Sequence, residues 1–148
     1  MIAGVELIPL RQIGDDRGMV MHMLRADAPH FKGFGEVYFS CINPGAVRAW
    51  TRHKVMVRNY AVPSGRVRVV LYDEREGSPT RGEIQEVELS PQGDYRLLVI
   101  PPLVWSGTKG LGAALSVVAN CATLMHDPEE IERRDWHDHS IGYDWDKT

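Results

Sequence analysis

The chain has 148 residues, 43% of them hydrophobic and 25% charged, with a net charge of −3. These values suit one soluble globular domain with a core large enough to need no disulfide or structural metal. The balance gives no basic footprint for nucleic acid, and no apolar run approaches the roughly 18 residues of a membrane helix. The opening MIAGVELIPL has no basic stretch before its apolar one, so no secretory signal is expected and the cytoplasm is the expected compartment. Cys41 and Cys121 lie far apart in apolar segments and read as buried free thiols.

Short apolar or alternating runs follow one another along the chain. They are Val5–Ile13, Gly18–Leu24, Gly35–Ile42, Val47–Trp50, Val55–Val62, Arg66–Tyr72, Ile84–Leu89, Tyr95–Ile100 and Ala114–Ala122. Gly, Pro, Asp and Ser clusters separate them, such as Asn43-Pro44-Gly45 and Pro63-Ser64-Gly65. Many short strands with regular turn signals predict an all-β sandwich or barrel. Arg66–Tyr72 alternates most clearly, with Val67 and Val69 on one side and two arginines on the other, which predicts one buried face. The spacing predicts a single helix, over Asp127–Arg134. Asp127 would cap it, Pro128 suits its first position, and Glu129 and Glu130 suit the positive end of its dipole. The tail beyond Asp135 carries Trp136, Tyr143 and Trp145, so it is expected to dock on the barrel or on a second subunit.

The spacing of one segment resembles the first cupin motif, G-x5-H-x-H-x(3,4)-E-x6-G. Here Gly45 is followed by five residues, Thr51, one residue, His53, four residues, Arg58, six residues and Gly65. The second motif opens P-x-G-x-x-H, and Pro101 to Ser106 ends on Ser106 in place of its histidine. A transition metal wants three or four His or carboxylate ligands converging on one point. One histidine beside Thr51, Ser106 and Arg58 does not supply them, so no metal and no other cofactor is expected. His137 and His139 form a further H-x-H pair with no third ligand, read as solvated.

Further segments resemble the dTDP-4-dehydrorhamnose 3,5-epimerase group and the related dTDP-sugar 3,4-ketoisomerases. Asp16-Arg17-Gly18 is similar to their D-R-G, Arg48-Ala49-Trp50-Thr51 falls on R-G-x-H, and Asp73-Glu74-Arg75 with Ser78-Pro79-Thr80 matches D-x-R…S-P-T. Ile100-Pro101-Pro102, Trp136-His137-Asp138 and Ile141–Trp145 resemble the group's later segments. The resemblance implies one cupin double-stranded β-helix (jelly-roll) domain over residues 1–148, with a short C-terminal helical turn and an aromatic tail. It also implies proton movement beside the 4-keto group of a nucleotide-linked deoxysugar, with no metal.

The resemblance carries roles onto particular positions. The epimerase base falls on Thr51, which cannot accept a proton near pH 7, whereas His53 matches the second histidine of the ketoisomerase motif and faces the same way. Arg58 falls on a catalytic lysine, and His126 lies in the stretch that carries the epimerases' acid tyrosine. Tyr38 lies on the strand that bears a functional tyrosine in the ketoisomerases. The aspartate that partners the epimerase base has no counterpart. The expected catalytic set is therefore His53, Arg58, His126 and Tyr38. Arg48, Thr51, Tyr60, Ser106, Trp50 and Trp105 are expected to bind substrate, Arg48 through its phosphates. Arg58, Tyr60 and Val62 should face inward together, which requires a turn near Lys54. Two alternatives stand beside the epimerase reading: a barrel that binds a nucleotide sugar without chemistry, and an enzyme with a rearranged site and another substrate. The group also implies a homodimer, with the apolar Val5–Leu10 as the strand exchanged between subunits.

Overall fold

The computed structural model describes residues 1–147. It contains β1 (Glu6–Pro9), β2 (Gln12–Asp15), β3 (Gly18–Met21), β4 (Glu36–Ile42), β5 (Val47–His53), β6 (Arg58–Ser64), β7 (Val67–Asp73), β8 (Ile84–Leu89), β9 (Arg96–Ile100), β10 (Val104–Gly110), β11 (Ser116–Ala122) and β12 (Ile131–Arg133). A single 3-10 turn follows at Trp136–Asp138. Two five-stranded antiparallel sheets have the orders β1-β9-β6-β11-β4 and β12-β5-β10-β7-β8, and β2 and β3 form a separate hairpin. This is the expected all-β jelly roll of the cupin type.

Strand alternation builds the core. Val67, Val69 and Leu71 of β7 meet Leu98, Ile100, Val62 and Val118 of the facing sheet in one buried cluster. The opposite faces are also covered. Leu97 and Val99 of β9 pack beneath Met21, Met23 and Leu24. On the second sheet the tail lays Ile141, Tyr143 and Trp145 over Trp50, Val70 and Trp105. Trp50 and Trp145 lie 5.2 Å apart and Tyr143 and Trp145 4.8 Å, contacts worth roughly 0.5–1.5 kcal/mol each beyond area burial. Gly107 is small for this reason: a Cβ there would meet the Cβ of Ala49 at 2.5 Å and the Trp145 ring at 2.6 Å.

Several expectations give way to this architecture. β7 is buried on both faces, because the tail covers its arginine side and leaves Arg68 only 8% exposed. Val104–Gly110, which had no strand-like reading, is a central strand. The helix over Asp127–Arg134 does not form. Asp127 does accept from the amide of Glu129 at 3.0 Å, but only one turn results. Ile131, Glu132 and Arg133 then extend and pair with His53, Arg52 and Thr51, because the edge of β5 offers them backbone partners. Val5–Leu10 is not a free strand either: β1 pairs with β9 of its own chain, and Val5 is buried. The thiols are free, but Cys41 is exposed on the outer side of β4 and Cys121 is half-buried.

The D-x-R…S-P-T resemblance marks a structural knot. Asp73, fully buried, accepts from the Arg75 amide at 3.0 Å and from Arg75 Nε at 2.9 Å on one oxygen. Its other oxygen accepts from Arg75 Nη2 at 3.0 Å and from the hydroxyls of Ser78 and Thr80 at 2.6 Å each. Arg75 and Thr80 in turn hold the backbone of Ala3.

Candidate active site

The facing sheets leave a cavity of about 800 Å³, a size suited to a nucleotide-scale ligand. Strand alternation decides what lines it. Glu36, Tyr38, Ser40 and Ile42 project from one face of β4, while Arg48, Thr51 and His53 come from β5 in the opposite sheet. Tyr60, Asn120, His126, Arg133 and Trp136 complete much of the wall.

His53 is 5% exposed, and its Nδ1 lies 2.6 Å from Oε1 of Glu130. The other oxygen of Glu130 accepts from the amides of Val55 and Met56, each at 2.9 Å. Those two amides belong to the turn after β5, so the carboxylate is pinned by backbone and orients the ring. Burial opposes the charge on Glu130, but the amides of Met56 and Val55 and the His53 ring outweigh it and hold the carboxyl below its ordinary range. Burial pushes His53 below its ordinary value and the Arg58 charge pushes the same way, against the pull of Glu130. The ring is therefore neutral at pH 7, with Nδ1–H donated to Glu130. Nε2 then carries the lone pair and has no partner among the described residues. This is the arrangement of a general base held by a carboxylate.

Across the cavity, the Tyr38 hydroxyl accepts from Asn120 Nδ2 at 3.0 Å. Burial, with the neighbouring Tyr60, raises the Tyr38 phenol above its ordinary value, so it stays protonated and keeps a proton to donate. Base and phenol thus stand on opposite sheets.

Arg58 is buried at 1% exposure and does not line the cavity. It starts β6 beyond the turn at residues 54–57, as the inward-facing expectation required. Its Nη1 donates to Thr51 Oγ1 at 3.3 Å and to Ser106 Oγ, and its Nη2 donates to the Val104 carbonyl at 3.0 Å. Thr51 and Ser106 are direct partners across the β5–β10 ladder, which explains how one guanidinium reaches both. Among the described residues Arg58 makes no ion pair.

The remaining expected site residues divide. Arg48 lines the cavity, exposed, and donates to the Cys41 carbonyl at 2.9 Å. Tyr60 and His126 also line it. Trp50 touches the cavity wall but sits at a bulge, where Ser106 pairs with Thr51 and Gly107 with Ala49, and it turns into the tail cluster. Two residues expected to bind substrate lie elsewhere. Ser106 is beneath the floor with Arg58, and Trp105 is on the outer face of the sheet. Its ring lies between the guanidiniums of Arg52 and Arg134, at 4.6 and 4.5 Å, and its indole donates to Glu74. Sequence reasoning missed Glu130, Asn120 and Arg133. Glu130 had been assigned to a helix dipole, and nothing local signals a partner 77 residues away. Among the described residues no group of three or more His, Cys, Asp or Glu is placed to hold a metal ion.

The fold is a jelly roll of the cupin type whose His53–Glu130 pair lines a ligand-sized cavity. The model of one family, described as dTDP-4-dehydrorhamnose 3,5-epimerase, matches residues 1–148, and the chain belongs to that family. It is 32% identical over 147 residues to the spore coat polysaccharide biosynthesis protein SpsL of Bacillus subtilis, covering 98% of this chain and 97% of the relative. It is 35% identical over 131 residues to the probable low-salt glycan biosynthesis epimerase Agl13 of Haloferax volcanii, covering 87% and 83%. The crystal structure of a dTDP sugar isomerase from Desulfovibrio desulfuricans G20 superposes with a TM-score of 0.96 at 45% identity, over 99% of this chain and 94% of that one.

Proposed function

We propose that the chain is a metal-independent epimerase or ketoisomerase acting on a nucleotide-linked 4-keto-6-deoxysugar. The observation that carries this is the buried His53–Glu130 pair on the cavity wall, whose Nε2 has no partner among the described residues. Nε2 removes the proton from the carbon beside the ketone. The C–H electrons form the C=C bond and the carbonyl electrons move to oxygen, giving an enolate. Tyr38 returns a proton from the opposite sheet, the enolate collapses to the ketone, and exchange with water resets both groups. Arg48 and Arg133 give the mouth the positive charge that a diphosphate needs. The structure described as a dTDP sugar isomerase supports this substrate class, and the relative described as a probable glycan biosynthesis epimerase supports the kind of reaction.

A second reading, binding without chemistry, is favoured by one observation: Thr51 stands where the family's base is expected. Solvent exchange separates the two. The protein is mixed with dTDP-4-keto-6-deoxyglucose in deuterated water and followed by NMR, with His53→Ala as control. Deuterium uptake at C3 or C5, lost in the variant, is the expected result. Broadened nucleotide signals without uptake would establish the binding reading, and neither effect would point to a different ligand class.

We further propose a cytoplasmic homodimer. Two free thiols, one exposed, suit a reducing compartment. Among the described residues the β2–β3 hairpin pairs only with itself, and it exposes Ile13, Met19 and Val20, while the edge strand β4 exposes Val37 and Phe39. An isolated hairpin is marginal in water, and apolar edges of this kind are covered in stable proteins. A monomer by light scattering at micromolar concentration would overturn this.

A further inference from the structure

The enolate needs a fixed donor at its oxygen, and of the arginines on the cavity wall Arg133 is exposed and Arg134 is held by Glu74. Lys54 points away, its ammonium on the Glu129 carbonyl. Arg48 is exposed and bonded to the backbone of β4. Among the described residues Arg58 carries a buried charge without a carboxylate partner, yet it does not line the cavity, and its guanidinium is bonded to Thr51 and Ser106. Ser106 is itself beneath the floor, at 2% exposure. Of the two hydroxyls that Arg58 holds, only Thr51 reaches the cavity.

Thr51 is also the right kind of group. A hydroxyl has one proton and two lone pairs. Arg58 donates to the oxygen, so the proton of Thr51 stays available, and it has no acceptor among the described residues. A cation donating to a hydroxyl makes that hydroxyl a stronger donor. Thr51 and His53 are two residues apart on one strand, roughly 7 Å along it, with side chains on the same face. A base and a donor so placed can address a C–H and the carbonyl oxygen beside it.

We propose that Thr51 is a catalytic residue that donates its hydroxyl proton in a hydrogen bond to the enolate oxygen, and that Arg58 is the positioning residue that orients and polarises it. This rests on the enolising function proposed above. The position of the missing base is, on this view, the oxyanion site of a rearranged centre: His53 supplies the base and Thr51 carries the buried charge to the substrate.

The test compares Thr51→Val, which keeps the shape and loses the hydroxyl, with Thr51→Ser, which keeps the hydroxyl. Each is measured for deuterium uptake by dTDP-4-keto-6-deoxyglucose, for dTDP affinity and for melting temperature. The expected result is a loss of about 100-fold or more in exchange rate for Thr51→Val, the scale of one lost oxyanion donor, with dTDP affinity and melting temperature held. Thr51→Ser should recover to within about tenfold of the parent. Arg58→Met tests the second half. Arg58 acts only through Thr51, so the double variant should be no slower than Thr51→Val alone, and the valine–serine pair carries the test if Arg58→Met does not fold. Exchange by Thr51→Val at the parent rate would overturn the proposal and leave the enolising function standing. Absence of exchange in the parent protein would overturn both.

Discussion

Two buried carboxylates in this protein have opposite surroundings. Asp73 is bonded within its own loop, by Arg75, Ser78 and Thr80, and both its oxygens are saturated. Glu130 is bonded across the fold, to the turn after β5 and to His53, and the ring it holds lines a cavity and keeps one nitrogen without a partner among the described residues. A carboxylate whose every partner is itself satisfied can only hold structure. A carboxylate that ends on an unsatisfied base is an arrangement for moving a proton. Both sites belong to segments that resemble the same family, so resemblance alone does not separate them. The destination of the hydrogen bonds does.

The comparison predicts a split between stability and rate. Asp73→Asn leaves the Arg75 charge without its partner inside the knot, at about 3 kcal/mol. For a chain of this size that lowers the melting temperature by roughly 6–12 °C, while exchange per folded molecule is retained. Glu130→Gln should do the reverse. The amide still accepts from Val55 and Met56, but it no longer fixes the ring with a charge. A fall in kcat of about 100-fold to 10,000-fold is expected, with a smaller change in melting temperature than Asp73→Asn causes. Exchange unaffected by Glu130→Gln, or abolished in folded Asp73→Asn, would break the distinction.

A smaller effect probes the tail, which covers the outer face of the sheet without entering the chemistry. Gly107→Ala places a methyl group against Ala49 and the Trp145 ring. A loss of about 1–3 kcal/mol follows from overpacking, read as a lower denaturant midpoint with exchange unchanged. An unchanged midpoint would mean that the tail packs more loosely than its aromatic contacts indicate.

How much of this was legible in the sequence follows the same local-versus-distant divide. β8 has the predicted bounds, Ile84–Leu89, because alternation and flanking turns are local signals. The Gly45-to-Gly65 spacing located Thr51, His53 and Arg58, since two consecutive strands joined by one short turn are nearly a local object even though they enter opposite sheets. β10 was missed because its small residues, Ser106 and Gly107, are set by what packs on them, Arg58 below and Trp145 above. β12 was misread because Asp127-Pro128-Glu129-Glu130 carries a true turn signal, whereas the strand that follows is dictated by the edge of β5. Glu130 went unrecognised with it, since its role exists only once that edge pairing forms. Trp105 was expected in the pocket, but it alternates with Ser106 along β10, so its ring goes to the outer face beside Arg52 and Glu74.

The finest test of the comparison is the pH dependence, where the two carboxylates differ in where and how they act. Asp73 is held far below its ordinary value, by Arg75 first and then by the Ser78 and Thr80 hydroxyls against the cost of burial. The unfolded chain therefore binds the more protons, and the stability that Asp73 contributes is fully present above about pH 4 and lost as pH falls below it. Asp73→Asn should flatten that acid slope. His53 is also lowered, so stability falls as pH drops below about 6.5 and the unfolded ring, but not the folded one, takes a proton. Its kinetic counterpart is an acid limb in kcat/KM with its inflection below about 6.5, because only neutral His53 is a base. Two substitutions should move that inflection in opposite directions. Glu130→Gln removes a partner that favours the charged ring and shifts it to lower pH, whereas Arg58→Met removes a repelling charge and shifts it to higher pH. Asp73→Asn should leave it in place. An inflection that moves the same way in both site variants, or one that follows Asp73→Asn, would mean that the titrating base is not the histidine held by Glu130.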